Sequence, residues 1–236
     1  VKNWFFVSLA IVFAMSIEGF CESSEANITA REYIMINLGE NCSARGALEA
    51  VDIKQESYPF DSCIVPFHAL IKCLEEDFQD YTNPEYFIPY IDNQSPINKY
   101  GVVLAHSFPL VSVGKKENGE DVLVMDPKWR DVLSIVEEKY ERRITRFRQA
   151  CTSSKKVCFF RYLDIDYAKA DQLSNLLHKC YPNLDFLLVC VQNISSDRER
   201  QRDWNLPRVK NLYFNTSAVS PHEEWTRIFQ DANLIN

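Results

Sequence analysis

Tyr33-Ile34-Met35-Ile36-Asn37-Leu38-Gly39-Glu40-Asn41-Cys42-Ser43-Ala44-Arg45-Gly46-Ala47-Leu48 decides how the rest of the chain is read. It opens on a β-branched, apolar run at Tyr33 to Ile36, turns at Gly39 and meets Cys42. A helical pattern then begins, because Ala44, Ala47, Leu48 and Val51 recur at i, i+3, i+4 and i+7. The spacing predicts a strand, a tight turn and a helix whose first turn carries Cys42. A helix N-terminus has unpaired N–H groups and the positive end of the dipole, and both favour thiolate over thiol. Cys42 is therefore a candidate nucleophile. The plainer alternative is a buried thiol or half of a disulfide.

Upstream of this stretch, Lys2 precedes an apolar run from Trp4 to Ile17, and Ser24-Glu25-Ala26 follows as a small-x-small cleavage signal. That is the pattern of a secretory signal peptide over residues 1–26, with an uncleaved membrane anchor as the alternative. Residues 27–236 are then one domain, large enough for a substantial core and secreted or periplasmic. The net charge is −7 and no basic block is present, which argues against nucleic-acid binding. Eight cysteines, at 21, 42, 63, 73, 151, 158, 180 and 190, become an odd number once Cys21 leaves with the leader, so at least one thiol stays free.

Downstream, Phe67, Leu70, Ile71, Leu74 and Phe78 predict a helix over 66–79. Residues 80–100, with Pro84, Pro89 and Pro96, read as irregular. Tyr100 to Val113 reads mostly as a strand, Asn118-Gly119 as a hairpin turn and Val122 to Met125 as the return strand. Val132, Val136, Arg143, Phe147 and Cys151 predict a charged helix of about 20 residues. Val157 to Tyr162, then Ala170, Leu173, Leu177 and Cys180, then Asp185 to Val191 spell strand, helix, strand. Such a unit makes a parallel pair with a right-handed crossover. Leu212 to Phe214 offers a further strand, and a helix around Glu223 to Phe229 closes the chain.

Several chemistries are excluded. Six glycines with no G-x-G-x-x-G and no P-loop leave no phosphate cradle. No C-x-x-C or H-E-x-x-H is present, and no metal or cofactor is expected. A cysteine nucleophile needs a base and a group to orient it. His106 on the first hairpin strand and Asp126 at the end of the second are the candidates, with Asp126 falling nearly opposite residues 108–111. His68, near a helix start, reads as a surface or core residue. Asp61 is either a third catalytic residue or a turn carboxylate on local N–H groups after Pro59, and the turn favours the second. Arg161, at the end of an apolar strand, calls for an aspartate partner. The Cys42 N–H with Asn37 or Asn41 would form the oxyanion hole.

The motifs Leu38-Gly39-Glu40-Asn41-Cys42, Pro59-Phe60-Asp61, Leu74-Glu75-Glu76-Asp77-Phe78, Ala105-His106-Ser107-Phe108, Lys139 to Phe147 and Val157 to Arg161 occur in the order of a bacterial family described as putative papain-like cysteine peptidases, a domain of unknown function. The chain resembles that family over about residues 33–192. It departs from it at Ser62, where the family usually has Trp, and at Ser107, where the family usually has Asp after the histidine. The resemblance implies an α/β (α+β) papain-like domain with an N-terminal catalytic helix, a β-hairpin and a C-terminal βαβ unit. It implies Cys42 as nucleophile, His106 as base and Asp126 as orienter, since Asp126-Pro127 is similar to the His…Asp-Pro ending of bacteriocin-processing peptidases. The substrate would be a peptide or protein. With Ser107 in place of aspartate, a catalytically silent binding protein on the same fold is the competing expectation. The leader predicts that mass spectrometry of the exported protein finds Asn27 as its first residue; an intact Lys2 segment would instead mean an anchor.

Overall fold

The computed structural model describes residues 33–40, 43–53, 56–91, 93–195, 203–218 and 220–235. The leader and Cys42 lie outside them. The architecture is mixed α/β. Strands β1 (Tyr33–Asn37), β6 (Lys156–Tyr162), β7 (Phe186–Ile194) and β8 (Val209–Asn215) form a parallel sheet in the order β1-β6-β7-β8. The helices are α1 (Ser43–Ala50), α2 (Phe67–Glu75), α3 (Leu133–Thr152), α4 (Tyr167–Cys180) and α5 (Pro221–Asp231). The β6-α4-β7 unit is the expected parallel crossover, and α3 has the expected 20 residues.

The sheet is buried on both faces, which is why its strands are apolar without alternation. Successive side chains of β6 go to opposite sides. Val157 and Phe159 pack with α2, α3 and α4, while Cys158 and Phe160 pack with α1 and α5. Ala47 and Leu48 of the α1 stripe bury against the second face, where Phe160 stacks on Phe229 at 5.4 Å between ring centroids. Burying a side chain such as Phe160 contributes about 1.5–3 kcal/mol.

Two expectations change. Helix α2 stops at Glu75 rather than 79, because Asp77 and Phe78 adopt positive φ and the Phe78 N–H bonds back to the Cys73 carbonyl at 2.9 Å. This closure satisfies end carbonyls and turns the Phe78 ring into the core. The expected strand from Tyr100 is also much shorter. Residues 102–104 are buried and touch the rest of the fold through isolated bridges, Val103 with Ile64 and Ile97. The chain then turns at 105–108, with His106 at φ 55°, and β4 begins only at Leu110. His106 is therefore on a turn, not on a strand. The hairpin of β4 (Leu110–Lys115) and β5 (Asp121–Met125) closes over Asn118-Gly119 as expected, with a bulge between Ser112 and Gly114. A small hairpin, β2 (Ile88–Pro89) with β3 (Pro96–Ile97), orders part of the stretch expected to be irregular.

The turn after β1 depends on Gly39. Its φ is 78°, and a Cβ there would stand 2.5 Å from Val65 Cγ2. Gly39→Ala is expected to cost about 2–4 kcal/mol, combining left-handed strain with overpacking. Urea denaturation checks this; a cost below about 1 kcal/mol would show that Val65 yields freely.

Candidate active site

At the carboxyl end of the sheet the chain leaves β1 for α1 on one face and leaves β6 for α4 on the other. Adjacent strands whose connections depart to opposite faces open a crevice at their carboxyl ends, the place where open α/β sheets bind ligands. The turn Leu38-Gly39-Glu40 follows β1 at this end of the sheet.

Polar groups that are themselves buried hold the turn. Asn37, fully buried at the end of β1, accepts the Gly39 N–H through Oδ1 at 2.8 Å and donates through Nδ2 to Asp61 Oδ1 at 3.1 Å. Asp61 Oδ2 accepts the Tyr58 N–H at 2.8 Å and lies 3.6 Å from Arg45 Nη1. Desolvation raises the Asp61 pKa, against the pull of these bonds and of Arg45 and Arg143. Asp61 is thus the turn carboxylate expected from Pro59, and it also locks the end of β1.

Arg161, at the end of β6, is wholly buried. Its Nη1 donates to the Leu38 carbonyl at 3.0 Å and to the Val65 carbonyl at 2.9 Å. Val65 N in turn donates to the Glu40 carbonyl at 3.0 Å. Its aspartate partner is Asp164, whose Oδ2 lies 3.5 Å from Arg161 Nη2 and accepts the first N–H of α2, from Phe67, at 3.1 Å. Asp164 also pairs with Lys169. Arg161 Nε and Nη2 and Glu40 Oε2 are buried without a hydrogen bond. Burial lowers the Arg161 pKa to about 10 and raises that of Glu40, while Arg161 pulls Glu40 back down. The arrangement sets the Arg161 guanidinium against the turn that ends at Glu40, two residues before Cys42 in the sequence.

Cys42 itself lies outside the described residues. Among the described residues there are six cysteines, Cys63, Cys73, Cys151, Cys158, Cys180 and Cys190; burial pushes up their thiols, and all six are free. His106 is exposed and lines a pocket of about 190 Å3 with Cys63, Ile64, Ser95, Ala105 and Phe108. Asp126 sits beyond β5 as placed from the sequence: its N–H donates to the Pro109 carbonyl at 2.9 Å, and its Oδ1 accepts the Lys128 N–H at 2.8 Å. Among the described residues no hydrogen bond or ion pair joins Asp126 to His106. His68 lies in the first turn of α2, on the element that Asp164 and Val65 tie to the β1 turn.

The bonds of Ser107 were not foreseen. Its Oγ lies 2.9 Å from Tyr140 Oη and accepts from Lys139 Nζ at 3.0 Å. The sequence held one clue, since Tyr140 falls on the buried stripe of α3 and its hydroxyl must find a partner. Among the described residues no group of three His, Cys, Asp or Glu side chains is placed to hold a metal ion, and no helix is long and apolar enough to cross a membrane.

Asp61→Ala leaves the Tyr58 N–H and one Asn37 donor unpaired in the interior. The expected loss is about 1–3 kcal/mol, read from chemical denaturation; a loss under about 0.5 kcal/mol would show that water replaces the carboxylate.

No curated protein and no solved structure matches the chain. The sequence model of one family, described as putative papain-like cysteine peptidase, matches residues 33–195, from the first residue of β1 to just past the end of β7. With its glycine turn, Pro59-Phe60-Asp61 loop and buried β6 inside that match, the chain belongs to the putative papain-like cysteine peptidase family, a domain of unknown function.

Proposed function

We propose that the protein is an exported papain-like cysteine peptidase, or a related thiol hydrolase or acyl transferase, acting on a peptide or isopeptide bond. Cys42 is the nucleophile, His106 the base and Asp126 the group that orients it. The observation that carries this reading is the rigid turn before Cys42. Asn37, Asp61, Arg161 and Val65 fix Leu38 to Glu40 from several directions at the carboxyl end of the sheet. A chain that merely needed to turn would not require two buried charged side chains there. Pre-organisation of this kind is what a nucleophile requires.

In the proposed reaction the Cys42 sulfur attacks the carbonyl carbon while the imidazole takes the thiol proton. The proton then passes to the leaving amine as the C–N bond breaks, leaving an acyl-thioester. Water or an acceptor amine resolves the thioester and restores the thiol. The field of Arg161, Arg45 and the α1 N-terminus favours the charged sulfur and the oxyanion.

A second assignment of the base has one observation in its favour. His68 sits on α2, which is bonded to the β1 turn through Asp164–Phe67 and Val65–Glu40, whereas His106 stands on a separate exposed turn.

Alkylation by a thiol-directed electrophile, resolved by residue with mass spectrometry, tests the proposal. Cys42 is expected to react fastest near neutral pH, and His106→Ala to slow it by about tenfold or more while His68→Ala does not. The opposite pattern would move the base to His68. If neither variant changes the rate and both fold, there is no catalytic dyad and the binding-protein alternative takes over.

A further inference from the structure

The pocket that His106 lines has a thiol in its wall, and that thiol begins a chain of polar contacts running into the protein. Cys63 Sγ lies 3.3 Å from Tyr140 Oη, Tyr140 Oη lies 2.9 Å from Ser107 Oγ, and Lys139 Nζ lies 3.0 Å from Ser107 Oγ. Three distant parts of the chain, the Pro59–Cys63 turn, the His106 turn and α3, converge to make it. Cys63 and Tyr140 are buried and Lys139 is half-buried. The remaining wall is largely apolar, from Ile64, Ala105, Phe108 and Leu110. At about 190 Å3 the space is below the range that takes drug-sized ligands, and it suits a short acyl or alkyl group.

A buried thiol is ordinarily inert because its thiolate is not solvated. Here the sulfur, which also donates to the Pro59 and Asp61 carbonyls at 3.6 and 3.8 Å, has in Tyr140 at 3.3 Å a closer neighbour that can donate to it or take its proton. Among the described residues Lys139 has no carboxylate partner. Burial and the neighbouring Arg143 hold its pKa down, so a neutral amine is easier to reach than on a surface lysine. Tyr81, Cys73 and Arg143 complete the titratable surroundings of Cys63.

We propose that Cys63 is a second reactive thiol, a covalent-modification site for small uncharged acyl or alkyl electrophiles, with Tyr140, Ser107 and Lys139 as its proton relay. The carbon–sulfur bond forms as the leaving group departs with its electron pair. The thiol proton passes to Tyr140, the Tyr140 proton to Ser107 and the Ser107 proton to neutral Lys139. The resulting ammonium donates back along the same chain, and Tyr140 ends as a donor to the sulfur. This site does not involve Cys42; its pocket shares His106 with the proposed dyad, and its test reads the labelling of Cys63 alone.

The test is residue-resolved labelling of the full native chain with iodoacetamide and, separately, with a maleimide on a bulky polymer. Cys73 and Cys158 are equally buried and serve as internal controls because neither lines this pocket. Cys63 is expected to outrun both controls with iodoacetamide and to resist the bulky reagent. Ser107→Ala and Lys139→Arg are each expected to slow Cys63 by about tenfold or more, since arginine keeps the charge but cannot accept a proton. If Lys139→Arg reacts at the wild-type rate, the lysine acts as a charge and the relay is wrong. If the variants do not fold, the wild-type ranking decides: a Cys63 no faster than Cys73 overturns the proposal.

Discussion

A buried guanidinium holds this fold's working end together. Arg161 emerges from the most enclosed strand of the sheet and satisfies two carbonyls, Leu38 and Val65, that no strand partner reaches. Taking an arginine out of water is costly, and here Asp164, at 3.5 Å, and Glu40 supply the opposite charge. What the cost secures is geometry. The end of β1, the segment leading into α2 and the end of β6 become one rigid unit. Asn37 and Asp61 add a second buried link from the Pro59 turn, so the Gly39 turn is fixed from both sides. Polar side chains inside a core specify one arrangement where apolar packing tolerates several.

The two-sided sheet sets where that rigid unit sits. Because β1 feeds a helix on one face and β6 feeds a helix on the other, the carboxyl ends of two neighbouring strands are left uncovered by their own connections. The turn from Leu38 to Glu40 at this end is braced by buried groups. The β4–β5 hairpin stands apart, with most of its side chains exposed, and its base carries His106 and the pocket. The β1 turn is thus braced by buried groups, and the hairpin is largely exposed.

Position 107 is where the chain departs most tellingly from the family pattern. The Ser107 hydroxyl is engaged by Tyr140 and Lys139 of α3, so this position anchors the His106 turn to a helix. A carboxylate in the same place would meet the same lysine and tyrosine. Among the described residues no carboxylate pairs with Lys139, which stands half-buried.

The sequence alone determined the elements whose apolar pattern is regular. The period-3.6 stripes gave α1, α3 and α4, the apolar runs gave β1, β6 and β7, and Asn118-Gly119 gave the hairpin turn. Pro59 gave the role of Asp61, and Arg161 at a strand end implied its aspartate, because a buried charge leaves few options. The family was legible from short motifs in a fixed order. Tertiary structure alone decided the rest. The expected strand at Tyr100 to Val113 was broken because His106 takes a left-handed turn, to which Ser107 contributes contacts with Tyr140 and Lys139 from residues over thirty positions away. Helix α2 ended early because Phe78 had a core to enter. Cys63, Ser107, Lys139 and Tyr140 were unremarkable one by one in the sequence, and only the packing of α3 against two turns made them neighbours. Local pattern fixes a residue's face and period, whereas contacts between segments distant in sequence depend on how those faces stack, which no local window contains.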